Sequence, residues 1–243
     1  MCVRANIEPL AWESEYFQLC SAKLAFSSTA PQLTTADLQP FDIVQAKIPA
    51  DRLVLADGLA NLGFRLVEGE IDLSLPIGLE QIGTRTANNN AGASVFGSRI
   101  AVAEDIPWLR AQAAQAFALS RFRAPWYQAG DSARFYAEWV EKAVLGTFDH
   151  QCLLVLNTQR NPAGFVTLRA LANGEARIGL LAVAPEAAGL GIGKQLMQLA
   201  QNWCRDNNLS CLHVATQTGN IPALRLYIRS GAVIESTAYW LYR

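Results

Sequence analysis

Along the second half of the chain the spacing of apolar residues changes period several times, and each change predicts an element. From 104 to 122 they recur every three or four positions behind an acidic first turn and Pro107, which predicts an amphipathic helix. A second helix is predicted from Ser132, a capping residue, to Gly146, where a left-handed residue can close it. The period then shortens. QCLLVLN, GFVTLRAL and ARIGLLAV, separated by the turn-prone RNPA and ANGE, predict three strands in a meander. Residues 191–208 return to helical spacing through Leu196, Leu199, Ala200 and Trp203. CLHVATQ reads as a strand, IPALRLYIRSGA as a short helix between Asn220 and Gly231, and the C-terminal stretch as extended chain.

The first half is less regular. QAKIPA, the stretch from Asp51 to Leu62 and LGFRLVEGEIDLSLPI read as strand, helix and strand, a small α/β unit whose chemistry the pattern leaves open. Residues 84–98, TRTANNNAGASVFGS, lose apolar periodicity and gather Asn, Gly and Ser, the composition of a connection between packed units. The expected organisation is an N-terminal domain over 1–83, a linker over 84–98 and a larger domain over 99–243, of α/β (α+β) class.

Composition narrows the function. With 51% apolar and 17% charged residues the 243-residue chain can bury a large core. Its 20 basic and 21 acidic residues give a net charge of −1, and no run of like charges suits nucleic acid or an anionic membrane, so a small-molecule partner is expected. Five scattered cysteines, none in C-x-x-C spacing, read as reduced core residues, and no metal is expected. The N-terminus carries charges where a signal peptide needs an apolar run, and no segment is long and apolar enough to span a membrane, so the expected location is cytoplasmic. Only two histidines, His150 and His213, are present, which leaves little room for chemistry built on several imidazoles.

The segment from Ile178 to Lys194 is the most informative, because a buried strand runs through Pro185 into AGLGIGK and straight into a helix. Gly189, Gly191 and Gly193 allow the backbone to turn its N–H groups outward, and the helix N-terminus adds about 0.3–1 kcal/mol for a bound anion. The Rossmann fingerprint fails at Lys194, and the Walker loop fails at Ala188 and Gln195. A glycine-rich turn without a ligand is the alternative. Downstream, Asn220, Ala223 and Tyr227 are spaced to share one helical face.

These two segments resemble the signatures of the GNAT acetyltransferases: the acetyl-CoA loop Q/R-x-x-G-x-G/A, here with Ala188 in place of Gln or Arg, and the later Asn, small residue, Tyr and Gly. The resemblance implies a mixed sheet flanked by helices and binding of acetyl-CoA. The cofactor set would be Leu181, Ala182, Val183, Gly189, Leu190, Gly191, Ile192, Gly193, Lys194, Asn220 and Arg229. A backbone N–H within Leu181–Val183 would hold the acetyl carbonyl, and Tyr227 would protonate the leaving thiolate. A phenol near pKa 10 facing a thiol near 8.5 makes that transfer uphill by about 2 kcal/mol. No base is identified.

In segments 4–10, 66–70, 120–127, 146–152, 176–181 and 235–243 the chain is also similar to the branch of this family that acetylates dTDP-4-amino-4,6-dideoxygalactose for enterobacterial common antigen. That similarity implies a dTDP-sugar acceptor. Arg121, Arg123, Trp126 and Tyr127 combine guanidiniums and aromatics suited to a nucleoside diphosphate, and packed loop residues are the equal alternative. His150 is a further acceptor-side candidate, with a structural role as its alternative, and a homodimer is the assembly considered. The rival functions are acetylation of a peptide or another small amine, and a non-catalytic CoA-binding domain.

Overall fold

The computed structural model describes residues 2–78, 96–117 and 119–243. The chain runs β1 (Ala5–Pro9), α1 (Ala11–Phe17), β2 (Ser21–Phe26), α2 (Thr35–Leu38), β3 (Ile43–Pro49), α3 (Leu53–Asn61) and β4 (Arg65–Pro76). After the interval come β5 (Ser98–Ile100), α4 (Ile106–Ala116), α5 (Asp131–Val144), β6 (Gln151–Leu156), β7 (Pro162–Ala170), β8 (Ala176–Val183), α6 (Ile192–Asp206), β9 (Cys211–Gln217), α7 (Ile221–Arg229) and β10 (Val233–Tyr242). Residues 84–95 of the expected linker lie outside the described residues, and Ser98 already opens β5.

The ten strands among the described residues form one sheet in the order β1-β2-β3-β10-β4-β9-β8-β7-β6-β5. The last strand, β10, enters between β3 and β4 and runs antiparallel to both, with Trp240 opposite Lys47 on one side and Glu68 on the other. β4 in turn pairs with β9, so chain from before the composition break is built into the middle of the sheet.

Two strand pairs are parallel, β2–β3 and β8–β9. The second pair determines the shape of the site. β8 and β9 are in register only at Ala176↔Leu212 and Arg177↔His213, and beyond Arg177 the strands part. A bulge explains the divergence: against β7, Leu168 faces Ile178 but Val166 faces Leu181, so β8 uses one residue more than its partner. The core records the same event. Ala176 and Ile178 pack in the cluster beneath α6 and α7, whereas Leu180 and Ala182 pack with α4 and α5 on the opposite face. Even-numbered side chains change face because one extra residue shifts a period of two.

Gly179 sits at this bulge for a steric reason. A Cβ there would lie 2.3 Å from Asp149 Oδ2 and 2.6 Å from Thr167 Oγ1. Those two atoms hydrogen-bond each other at 2.6 Å, and Thr167 Oγ1 accepts from the Leu180 N–H at 2.8 Å, which pins the bulge.

Some expectations need correction. α4 stops at Ala116, six residues short, because the chain turns at Phe117 so that Phe122 can pack against Phe17 and Tyr127. α5 is capped by Gly130 at φ +91° rather than by Ser132, while Asp131 in its first turn accepts the Gln128 N–H at 3.0 Å. Cys152 and Cys204 are buried and Cys211 half-buried, but Cys2 and Cys20 are exposed beside the first two strands.

Candidate active site

The opening between β8 and β9 leads to the loop read from the sequence. β8 ends at Val183, Pro185–Ala187 make a single 3-10 turn, and Gly189 and Gly191 follow at φ +79° and +86°, a left-handed backbone that disfavours side chains. Gly191 is the N-cap of α6, so the N–H groups of Ile192 and Gly193 lack intrahelical acceptors and face the loop. A Cβ on Gly189 or Gly191 would meet nothing within 4 Å, whereas one on Gly193 would sit 3.1 Å from Leu226 of α7. The first two glycines therefore serve backbone conformation, and the third lets α6 and α7 approach. Ile192 anchors the helix in the core, and Leu190 and Lys194 are exposed at its mouth.

The gap also presents backbone donors. The Leu180 N–H and the Ala184 N–H both bond toward β7, to Thr167 Oγ1 and the Ala163 carbonyl. Strand alternation then directs the N–H groups of Leu181 and Val183 the other way, into the gap that β9 has vacated. The Ala182 side chain lies on the α4–α5 face.

α7 closes the end of the gap. Asn220 caps it by accepting the Ala223 N–H at 3.3 Å, and Pro222 occupies the first turn. Asn220, Ala223 and Tyr227 all line one cavity of 560 Å³ together with Leu181, Ala182 and Val183. Tyr227 is 5% exposed, and burial raises its phenol well above the ordinary value, so it is fully protonated at neutral pH. Arg229, at the end of α7, is exposed and outside this lining.

The opposite wall carries a group that the sequence reading missed. Glu68 of β4 lines the cavity, with its Oε2 buried and without a hydrogen-bond partner. Burial pushes its carboxyl up to about 7; Arg121 opposes that rise, Glu70 adds to it, and a hydrogen bond involving Gln217 moderates it. Glu70 itself is held by Lys47 at 2.5 Å and by Trp240 Nε1 at 3.0 Å. The signal was present in EGEID, where Glu68, Glu70 and Asp72 repeat with period two and so share one face of a strand.

Of the acceptor candidates, Arg121 reaches the cavity. Its guanidinium lies 4.3 Å from the Trp240 ring centroid, donates to Gln45 Oε1 at 3.0 Å and bonds the Tyr242 hydroxyl. Arg123 donates to the carbonyls of Val67 and Ala124. Trp126 packs edge-on to Tyr242 with Arg65 over its face, and Tyr127 is buried, its hydroxyl accepting from Gln45 at 3.2 Å. These three are outside the cavity lining and tie the segment after α4 to β3, β4 and β10. His150 is exposed, and its Nδ1 accepts the Ala170 N–H at 3.2 Å. His213 lies on β9 as expected, between Glu175 at 2.9 Å and Glu235 at 3.3 Å. With Cys211 nearby, Glu175 and His213 form the metal-type cluster found among the described residues, and it too lies outside the cavity lining. No helix among the described residues is long and apolar enough to cross a membrane.

Residues 112–232 match the Acetyltransferase (GNAT) family. Over 243 residues, the whole of both chains, the sequence is 51% identical to dTDP-fucosamine acetyltransferase of Escherichia coli. Over 148 residues, 61% of this chain and 78% of the relative, it is 26% identical to streptothricin acetyltransferase A of Bacillus subtilis. A GCN5-related N-acetyltransferase structure from Sphaerobacter thermophilus is similar in fold, with a TM-score of 0.59 at 17% identity, covering 83% of this chain and 59% of that one. The family match and the full-length likeness together place the sequence: the chain belongs to the GNAT family of acetyltransferases.

Proposed function

We propose that this N-acetyltransferase moves acetyl from acetyl-CoA to the 4-amino group of dTDP-4-amino-4,6-dideoxygalactose, in the cytoplasm, as a step toward enterobacterial common antigen. The observation that carries the chemistry is the meeting in one cavity of a buried acid, Tyr227, a carboxylate tuned near neutrality, Glu68, and the outward N–H groups of β8. Full-length likeness to an enzyme named for dTDP-fucosamine supports the choice of acceptor.

The residues fit acetyl-CoA. The left-handed glycines leave open space where side chains would otherwise intrude, and the N-terminus of α6 suits a pyrophosphate. Bound there, acetyl-CoA supplies an acetyl group activated as a thioester. The N–H groups of Leu181 and Val183 are placed to hold the carbonyl oxygen as charge builds on it. Glu68 takes a proton from the attacking amine, directly or through one water, and Arg121 keeps that carboxyl from rising further. Tyr227 gives its proton to the departing sulfur. Burial makes the phenol a weaker acid than in water, but the same dry wall raises the affinity of a thiolate for a proton, so the transfer stays within reach.

Thiol release measured with acetyl-CoA against dTDP-4-amino-4,6-dideoxygalactose, basic peptides and no acceptor tests the proposal. Release that depends on the nucleotide sugar is expected. Release only with peptides, or none with any amine, would refute it.

A further inference from the structure

Beside the catalytic cavity lies a second recess, of 320 Å³, walled by Trp12, Tyr16, Phe135, Trp139 and Phe148 with Glu138 and Lys142 at its rim. We propose that this aromatic recess holds the nucleobase of the acceptor and that Arg169, between recess and cavity, meets its diphosphate. The inference rests on the nucleotide-sugar reading above and places that substrate on residues that the segment 121–127 does not supply.

Continuity is the first argument. Phe135 and Trp139, one turn apart on α5, line both the recess and the cavity, so a molecule whose amine sits by Glu68 can extend past them without leaving the surface. Exposure is the second. Trp12 is 50% and Phe148 45% exposed, although each has aromatic neighbours against which it could have been covered. Trp12 stacks on Tyr16 at 5.1 Å and meets Phe135 edge-on at 6.0 Å, while Phe148 stands perpendicular to Trp139 at 5.3 Å. Flat aromatic walls left open to water are what a planar base stacks on.

Arg169 supplies the charge. It lines the catalytic cavity while its guanidinium lies over the Phe148 ring at 4.9 Å, which puts it at the junction of the two spaces. Its buried Nε pairs electrostatically with Asp149 Oδ1 at 3.8 Å, and neither atom makes a hydrogen bond. The other oxygen of Asp149 is taken by Trp139 Nε1 at 2.8 Å and Thr167 Oγ1 at 2.6 Å. Asp149 thus orients the guanidinium without saturating it, and the outer N–H groups remain for a phosphate, which a guanidinium binds in a forked manner. The segment 121–127 offers less, since Trp126 and Tyr127 are packed against Tyr242 and the Arg123 guanidinium is bonded to two carbonyls.

The test uses the full chain and dTDP itself, titrated by calorimetry, alongside steady-state kinetics. Trp12→Ala and Phe148→Ala remove half-exposed rings and are expected to fold; each should weaken dTDP binding and raise the acceptor KM about tenfold, with the acetyl-CoA KM unchanged. Trp12→Phe should restore most of the loss. Arg169→Met should weaken dTDP at least about tenfold while leaving thymidine binding near that of the wild type. If the wild type acetylates the nucleotide sugar but these variants bind dTDP as it does, the recess assignment is wrong and the proposed function stands. If the wild type binds no dTDP, the assignment also fails. A recess that instead seats a second copy, seen as a mass that halves on Trp12→Ala with dTDP binding untouched, overturns it as well.

Discussion

Replacing Glu68 by Gln removes a charge with almost no change of shape, and the structure assigns that change two opposite consequences. As general base, Glu68 should contribute about 10²–10⁴ in rate, so kcat/KM should fall by that range. Burial pushes its carboxyl up from the ordinary 4.5 to about 7. A carboxyl raised on folding favours the protonated form in the native state, so it contributes most stability below pH 4.5 and loses it as pH climbs through 7. At 1.36 kcal/mol per unit the full loss is about 3 kcal/mol, and about 2 kcal/mol once water reaching the cavity is allowed for. Glu68→Gln should therefore be more stable than the wild type by about 2 kcal/mol at pH 8 and indistinguishable from it below about pH 4, read from urea unfolding. The acid limb of kcat/KM, set near pH 7 in the wild type, should disappear in the variant. A variant with wild-type rate, an unchanged limb and no gain in stability at pH 8 would refute the assignment.

Tyr227→Phe keeps the buried ring and removes the acid, so kcat should drop about 10²-fold while calorimetry gives an acetyl-CoA Kd within twofold of the wild type. Gly179→Ala forces a Cβ against Asp149 and Thr167 and should cost about 2–3 kcal/mol in denaturant unfolding, since neither contacting atom can move without breaking its hydrogen bond. Gly191→Ala, at φ +86° with open space around it, strains the backbone without a clash; it should cost about 1 kcal/mol and raise the acetyl-CoA KM with the acceptor KM unchanged.

The C-terminal elements were legible because each is bounded by its own turn chemistry and fills a local period, as α6 shows by burying Leu196 and Ala200 from the predicted stripe. Both GNAT-like segments could be read for the same reason. What escaped the reading depends on contacts distant in sequence. β1 is mostly exposed, with one fully buried side chain, and α2 has four residues, so neither shows a clear period. The end of α4 is set by Phe122 seeking Phe17 across the fold. Glu68 escaped because its neighbours come from three distant stretches, Trp240 on β10 and Gln217 on β9 pairing to either side of β4 and Arg121 after α4, and no local pattern announces their meeting. The proposed acid could be named from a motif; the proposed base needed the sheet.

The most direct test of the central claim is to follow isotope-labelled acetyl from acetyl-CoA by NMR in the presence of dTDP-4-amino-4,6-dideoxygalactose and catalytic amounts of the protein. A single new amide on the sugar 4-nitrogen is expected, formed at a rate that Glu68→Gln and Tyr227→Phe each cut by about 10²-fold or more. Label that stays on CoA, or that appears only on water or on a peptide amine, would contradict it.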